Sequence, residues 1–61
     1  MLFSHLNNRQ SKILVVDDEP TSLLVMTEAL GDLGEVIGCA SGVEALGVAF
    51  SFRPDIILLD I

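Results

Sequence analysis

Three short, mostly apolar runs alternate along the chain with two segments in which apolar residues recur at helical spacing. The runs occupy residues 12–16, 36–40 and 55–60. In the first and third runs, apolar residues follow one another without alternating with polar ones. Such runs are typical of strands that are covered on both faces, as in a parallel sheet. The pattern predicts the order strand, helix, strand, helix, strand.

The first helix is predicted over residues 20–32. Pro20 suits the first turn of a helix, and the acidic residues before it suit the positive end of the helix dipole. Apolar residues then recur at helical spacing: Leu23, Met26, Leu30 and Leu33. Gly31 and Gly34 are candidate terminators of this helix.

The second helix is predicted to begin at a capping box formed by Ser41 and Glu44. In that motif the serine accepts a hydrogen bond from the third amide, and the glutamate reaches back toward the start of the helix. Gly47 weakens this helix by about 1 kcal/mol relative to alanine. Pro54 disfavours helical geometry at Arg53, so the helix is expected to end there.

Helices that alternate with apolar strands predict an α/β fold with a parallel sheet. Crossovers between parallel strands are almost always right-handed. If the first strand lies between the other two, in the order 2-1-3, the helices must cover opposite faces. The carboxyl ends of strands one and three then lie side by side at a topological switch point, where open α/β sheets bind ligands.

Three carboxylates follow these two strands: Asp17, Asp18 and Asp60. At the spacing of neighbouring strands they repel one another, and a divalent cation would remove the conflict. Oxygen ligands suit Mg²⁺, which is typically completed by water and phosphate oxygens. A carboxylate is also a nucleophile that forms aspartyl-phosphates. Asp60, which lies across from the other two, is the better candidate for that role.

A plainer interpretation of these acids remains open. Acids at strand ends solubilise loops and cap helices, and either Asp18 or Glu19 could be the N-cap of the first helix. Glu19 is assigned mainly to capping, and Asp55 to the start of the third strand. The remaining acids are interpreted as solvated or capping charges: Glu28, Asp32, Glu35 and Glu44.

Length and composition narrow the classes of function. The chain has 61 residues, room for at most one small domain, and carries nine acids against three bases, for a formal net charge of −6. That balance argues against nucleic-acid binding by this segment. No apolar run reaches the roughly 18 residues of a membrane span, and no secretory signal is evident, so a cytoplasmic protein is expected.

Residues 1–11 are predicted to be a leader, polar after Leu6, that precedes a domain over residues 12–61. His5 is interpreted as a solvated surface residue. Cys39, the single cysteine, has no intramolecular disulfide partner and is interpreted as a small buried hydrophobe.

Three segments, spaced in register, together resemble the first half of response-regulator receiver domains. They are KILVVDDEP at 12–20, ASGVEAL at 40–46 and RPDIILLDI at 53–61. The resemblance implies a flavodoxin-like three-layer αβα fold with strand order 2-1-3-4-5. It implies two-component signalling: Asp60 receives a phosphoryl group from a sensor histidine kinase or phosphotransfer protein. It also implies Mg²⁺ as cofactor, with Asp17 and Asp18 as the acidic pair of the metal site, and no independent enzyme.

The sequence departs from the receiver pattern in what it lacks. The turn at Gly34–Glu35 has no aromatic residue after the glycine. A receiver would continue with a loop that supplies a backbone metal ligand, two further strands and three helices. Those later strands carry a Ser/Thr and a Lys that contact the phosphoryl group. Lys12 opens the first strand, at the end opposite the acidic site, and does not match that lysine.

Two alternatives to the receiver function are also considered, and the first follows from these departures. Without further strands, residues 55–61 form an exposed apolar edge, so the chain is expected to self-associate as a homo-oligomer, most simply a two-fold dimer. It would then be a phosphorylation-impaired interaction module. Separately, residues 17–21 (DDEPT) nearly fit the D-x-D-x-T motif of haloacid-dehalogenase-type phosphatases, with Asp17 as nucleophile and Glu19 in place of the second aspartate.

Overall fold

The structure, a computed structural model, describes residues 11–60 and forms a three-stranded parallel sheet with two helices. The elements follow the predicted order: β1 (Ser11–Asp17), α1 (Pro20–Leu30), β2 (Gly34–Cys39), α2 (Gly42–Phe52) and β3 (Ile56–Asp60). The strand order is β2-β1-β3, which confirms that the first strand is central. The chain therefore has the α/β arrangement of a partial flavodoxin-like fold.

The two helices cover opposite faces of the sheet, as the crossover rule predicts. Leu23 and Thr27 of α1 lie over Gly38, so closely that a Cβ atom there would touch both side chains. The next residue, Cys39, packs in a cluster with Ala45 of α2. Because successive residues of a strand point to opposite faces, α1 and α2 are on different sides.

The core is centred on β1. Its residues 13–16 are almost fully buried, as expected of a central parallel strand covered by a helix on each face. Leu14 and Val16 form the main cluster with Cys39 and Ala45, and three partly buried residues pack against it: Ile37, Val48 and Ala49. The interpretation of Cys39 as a buried hydrophobe is confirmed, and it is a free thiol.

The third strand is covered by neither helix. Within residues 11–60, β3 contacts β1, whereas both helices lie against β1 and β2. Three of its four apolar side chains are consequently exposed, namely Ile56, Ile57 and Leu59, whereas Leu58 is half-buried. β3 thus forms one edge of the sheet and is the exposed apolar edge that the sequence predicts.

Both helix starts are capped by side chains. The Ser41 hydroxyl accepts from the amide of Glu44 at 3.1 Å, and Glu44 Oε1 accepts from the amide of Ala40 at 3.0 Å. The predicted capping box is therefore present, although the glutamate reaches one residue beyond the cap.

At the end of α2, Arg53 adopts a left-handed conformation with φ of 55°, which confirms the predicted stop before Pro54.

Several boundaries differ from the sequence prediction. β3 begins at Ile56 and not at Asp55, whose amide and carboxylate bind the backbone of Lys12 before the strand starts. α1 ends at Leu30 with Gly31 as its C-cap, two residues before the predicted end. Gly34, predicted as a terminator, is instead the first residue of β2 and pairs with Ser11. A side chain at Gly34 would collide with the Ser11 backbone, so glycine permits this close strand approach.

The predicted leader falls mostly outside the described residues. Ser11, its last residue, is the first residue of β1, and His5 lies in the part that is not described. Among residues 11–60, no helix is long and apolar enough to cross a membrane.

Candidate functional site

The carboxyl ends of β1 and β3 bring two of the predicted site residues together. Asp17 and Asp60 are register partners in the parallel pairing of these strands. Partners in neighbouring parallel strands point to the same face, and their strands lie about 4.8 Å apart. Two carboxylates from distant parts of the sequence therefore lie at one corner of the sheet. We call this site, Asp17 and Asp60 with the neighbouring Asp18, the acidic corner.

Asp17 is the most unusual residue of this corner because it is charged and only 3% exposed. Its Oδ1 accepts a hydrogen bond from the amide of Glu19 at 3.0 Å. Its Oδ2 is buried and has no hydrogen-bond partner. An unsatisfied buried carboxylate oxygen costs free energy, typically more than the 1–3 kcal/mol of a neutral group. Such an atom is a ligand position that fits a cation.

Asp18 and Asp60 are both exposed. Within residues 11–60, no three His, Cys, Asp or Glu side chains are grouped closely enough to hold a metal ion together. The backbone thus juxtaposes Asp17 and Asp60, with Asp18 next in the chain, while the exposed side chains are not gathered.

Glu19 serves the helix and not the acidic corner. It is the N-cap of α1, and its Oε1 accepts from the amide of Ser22 at 2.7 Å. This hydrogen bond lowers the pKa of Glu19 from its ordinary value, because it favours the charged carboxylate. The capping interpretation is confirmed. The contribution of this cap to stability is present above the ordinary pKa and is lost as pH falls through the lowered one.

The opposite end of the sheet holds a second set of polar contacts, which the sequence did not reveal. The amide of Lys12 donates to Asp55 Oδ2 at 2.8 Å, and the amide of Asp55 donates to the carbonyl of Lys12 at 2.7 Å. The Lys12 ammonium lies 5.6 Å from the centre of the Phe52 ring. Lys12 is therefore held at the amino end of β1, away from Asp17 and Asp60, as predicted.

Cys39 ends β2 at the same end of the sheet as the acidic corner, but its surroundings make it unreactive. Burial raises the pKa of its thiol, and the nearby Glu44 carboxylate raises it further. Because the thiolate is the reactive form, such a cysteine is a poor nucleophile. The groups that could take part in chemistry at this end of the sheet are therefore the carboxylates of Asp17, Asp18 and Asp60.

Comparison with known proteins gives similarity to bacterial proteins, some of which are named transcriptional regulatory proteins. The chain is 43% identical over 54 residues to the transcriptional regulatory protein BtsR of Salmonella typhimurium, an alignment that covers 82% of this chain and 22% of that protein. It is 41% identical over 54 residues to BtsR of Escherichia coli, with the same coverage. It is 35% identical over 52 residues to protein PilH of Pseudomonas aeruginosa, covering 84% of this chain and 43% of PilH.

The chain spans about a fifth of the length of the BtsR proteins and less than half of PilH. No family model and no solved structure matches it. The similarity nevertheless extends over most of the chain and includes a protein whose name states a regulatory role. These relatives and the partial flavodoxin-like sheet are consistent with the receiver-domain resemblance of the sequence.

Proposed function

We propose that this chain is part of a response-regulator receiver domain in two-component signal transduction, in which Asp60 is the phosphoacceptor. The observation that carries the proposal is the pairing of Asp60 with the buried, incompletely satisfied Asp17 at the carboxyl ends of neighbouring strands. This is the switch-point corner at which open α/β sheets bind their ligands. The donor would be the phosphohistidine of a sensor kinase or of a phosphotransfer protein.

The residues present suit Mg²⁺ as cofactor. Asp17, Asp18 and Asp60 would hold it, and the ion, when bound, neutralises charge on the phosphoryl group. The unpartnered Oδ2 of Asp17 is the observation that supports this fit. The amide of Glu19, which is fixed at the start of α1, holds the other oxygen of Asp17 in place.

The position of Asp60 suits attack on a large donor. Its side chain is exposed at the end of β3, so a phosphorylated protein surface can approach it. One carboxylate oxygen of Asp60 forms the new bond to phosphorus. The bond between phosphorus and the donor imidazole nitrogen breaks, and the imidazole keeps that electron pair. The product is an aspartyl-phosphate, and the chain itself turns over no substrate.

Substitution of Asp60 tests this role. We expect acetyl phosphate with Mg²⁺ to give a slower-migrating band of the wild-type chain on a Phos-tag gel. Asp60→Asn removes the attacking carboxylate, so we expect no such band. Asp32→Asn is the matched control, since Asp32 is an exposed acid in the turn after α1, and it should shift like wild type. A band that persists in Asp60→Asn would contradict the proposal.

The uncovered third strand favours a second candidate function, that of a self-associating interaction module that is phosphorylated poorly. The outer edge of β3 borders no other strand of the described sheet, and Leu59 is 65% exposed. An exposed apolar edge is a template for strand pairing. Two copies joined through β3 about a two-fold axis would close one six-stranded sheet.

A lysine on β3 tests this association. We expect the wild-type chain to sediment as a dimer at micromolar concentration and Leu59→Lys to sediment as a monomer, because a charge on an edge strand opposes pairing. Leu33→Lys is the matched control, since Leu33 is equally exposed at 64% but lies between α1 and β2. A compact wild-type monomer would exclude the dimer. Dimers together with no Asp60-dependent phosphorylation would favour the interaction module.

The partners and location follow from this role. A receiver that accepts phosphoryl groups from kinases acts in the cytoplasm, and we propose that location here. The net charge of −6 supports the further proposal that this segment contacts neither nucleic acid nor an anionic membrane surface.

A further inference from the structure

Asp55 joins the start of β3 to the backbone of Lys12 at the amino end of β1. Its Oδ2 accepts a hydrogen bond from the Lys12 amide at 2.8 Å, and its own amide donates to the Lys12 carbonyl at 2.7 Å. One residue thus binds both backbone groups of Lys12. We call this pair of hydrogen bonds the Asp55–Lys12 clamp. It holds β3 to β1 at the end of the sheet opposite the acidic corner.

The side chains of β3 do not by themselves fix its position along β1. Residues 56–59 are two isoleucines followed by two leucines, so a shift by one residue replaces one apolar side chain with another. Three of these four side chains are exposed, and within residues 11–60 neither helix lies against β3. Strand register is specified by the difference between a buried and an exposed face, and β3 shows little such difference.

The geometry of the acidic corner depends on this register. Asp17 and Asp60 are partners in the pairing of β1 with β3. A slip of β3 by one residue would move Asp60 about 3.3 Å along β1 and turn its side chain to the other face of the sheet. The two carboxylates would then lie on opposite faces and could not bind one cation together.

The clamp resists such a slip because β1 is held in place independently of β3. β1 pairs with β2 from Ser11 to Val16, and both helices lie against it. The Lys12 ammonium also lies 5.6 Å from the centre of the Phe52 ring. A one-residue slip would move Asp55 about 3.3 Å along β1 and break both of its hydrogen bonds to Lys12.

We propose that Asp55 is a positioning residue that sets the register of β3 and thereby places Asp60 opposite Asp17. Its effect on phosphorylation rests on the proposed function, whereas its effect on register does not. If Asp55 served stability alone, its loss would lower the free energy of unfolding and leave the register unchanged. The two roles therefore differ in a measurable property of the folded chain.

Methyl NMR of the full chain measures the register. Two pairs of apolar partners lie side by side in the β1–β3 pairing: Leu14 with Ile57, and Val16 with Leu59. The wild-type chain should give nuclear Overhauser effects within both pairs. Asp55→Ala removes the carboxylate of the clamp. We expect this variant to lose intensity within both pairs and to gain the cross-peaks of a one-residue slip.

Two control variants separate register from stability. Asp55→Asn keeps a side-chain carbonyl for the Lys12 amide, so it should retain the wild-type nuclear Overhauser effects. Ser41→Ala also removes a side-chain acceptor of a backbone amide, at the start of α2, and should lower stability without changing the register. If Asp55→Ala does not fold, Asp55→Val takes its place, because valine lacks the acceptor but favours a strand.

The rate of Asp60 phosphorylation gives the functional measurement. With acetyl phosphate and Mg²⁺, we expect Asp55→Ala to be labelled on Asp60 about two- to threefold more slowly than wild type, because slipped registers share the population with the competent one. Asp55→Asn and Ser41→Ala should be labelled at the wild-type rate.

Wild-type nuclear Overhauser effects in Asp55→Ala would overturn the proposal, as would a slip in Asp55→Asn or in Ser41→Ala. A slipped Asp55→Ala chain that is labelled on Asp60 as fast as wild type would overturn the link between register and the site. If the wild-type chain takes no phosphate on Asp60 but Asp55→Ala slips, the proposed function fails and the register-setting role of Asp55 is supported.

Discussion

Val15→Asp is expected to unfold the chain. Val15 is 0% exposed at the centre of β1, the strand to which both helices and both other strands pack. An unpaired carboxylate buried there costs several kcal/mol. The core of a chain of this size rarely supplies more than about 3–5 kcal/mol of stability, so the substitution should remove all of it. Circular dichroism should show loss of the helical signal at 20 °C and no cooperative thermal transition.

The same substitution on the surface is the control for this result. Val43 lies in the first turn of α2 and is 83% exposed, so Val43→Asp buries no charge. An acid near a helix N-terminus also interacts favourably with the helix dipole. We expect this variant to keep the wild-type spectrum and melting temperature within a few degrees. A folded Val15→Asp chain would show that β1 is not the core.

Asp17→Asn is expected to stabilise the chain in magnesium-free buffer and to abolish its response to Mg²⁺. Asparagine keeps the carbonyl that accepts from Glu19 and replaces the unpartnered charged Oδ2 with a neutral group. The gain should be about 1 kcal/mol or more, since charged unsatisfied groups cost more than neutral ones. Mg²⁺ should raise the melting temperature of wild type, because ligands stabilise the state that binds them. It should not do so for this variant.

Asp18→Asn separates the effect of the buried charge on stability from the effect of Mg²⁺ binding. Asp18 is exposed, so its substitution should leave the magnesium-free melting temperature unchanged. If Asp18 is a ligand, the increase caused by Mg²⁺ should still shrink in this variant. The account of Asp17 would be contradicted by a destabilised Asp17→Asn chain in magnesium-free buffer, or by one that Mg²⁺ stabilises as much as wild type.

Much of the fold could be predicted because several local signals agreed. The apolar runs gave strands at β1 and β3, and the right-handed crossover rule placed α1 and α2 on opposite faces once β1 was central. That topology places the carboxyl ends of β1 and β3 side by side, so the approach of Asp17 to Asp60 could be predicted, whereas their exact register comes from the structure. The Ser41–Glu44 cap could be predicted because its residues are local and their spacing is specific.

Other features depend on tertiary contacts that no local pattern encodes. β2 begins at Gly34, two residues before its apolar run, because Ser11 offers a pairing partner there. The burial of Asp17 and its unpartnered oxygen depend on packing around the end of β1. The contacts of Lys12 with Phe52 and Asp55 join residues forty or more positions apart, and their spacing has no periodicity to detect.

The structure argues against the alternative hypothesis that the chain is a phosphatase of the haloacid-dehalogenase type. In that hypothesis, Asp17 is the nucleophile and Glu19 takes the place of the second catalytic acid. Glu19 is instead the N-cap of α1, bound to the amide of Ser22. Asp17 is buried, whereas Asp60 is exposed, so a phosphate donor reaches Asp60 more readily. The two hypotheses therefore predict a phosphate on different strands.

The most direct test of the central claim is to locate that phosphate. The wild-type chain is incubated with acetyl phosphate and Mg²⁺, digested at acidic pH and analysed by tandem mass spectrometry. We expect one phosphorylated peptide, with the modification on Asp60. A phosphate on Asp17, or on a residue outside the acidic corner while Asp60 is unmodified, would contradict the assignment of Asp60 as the phosphoacceptor.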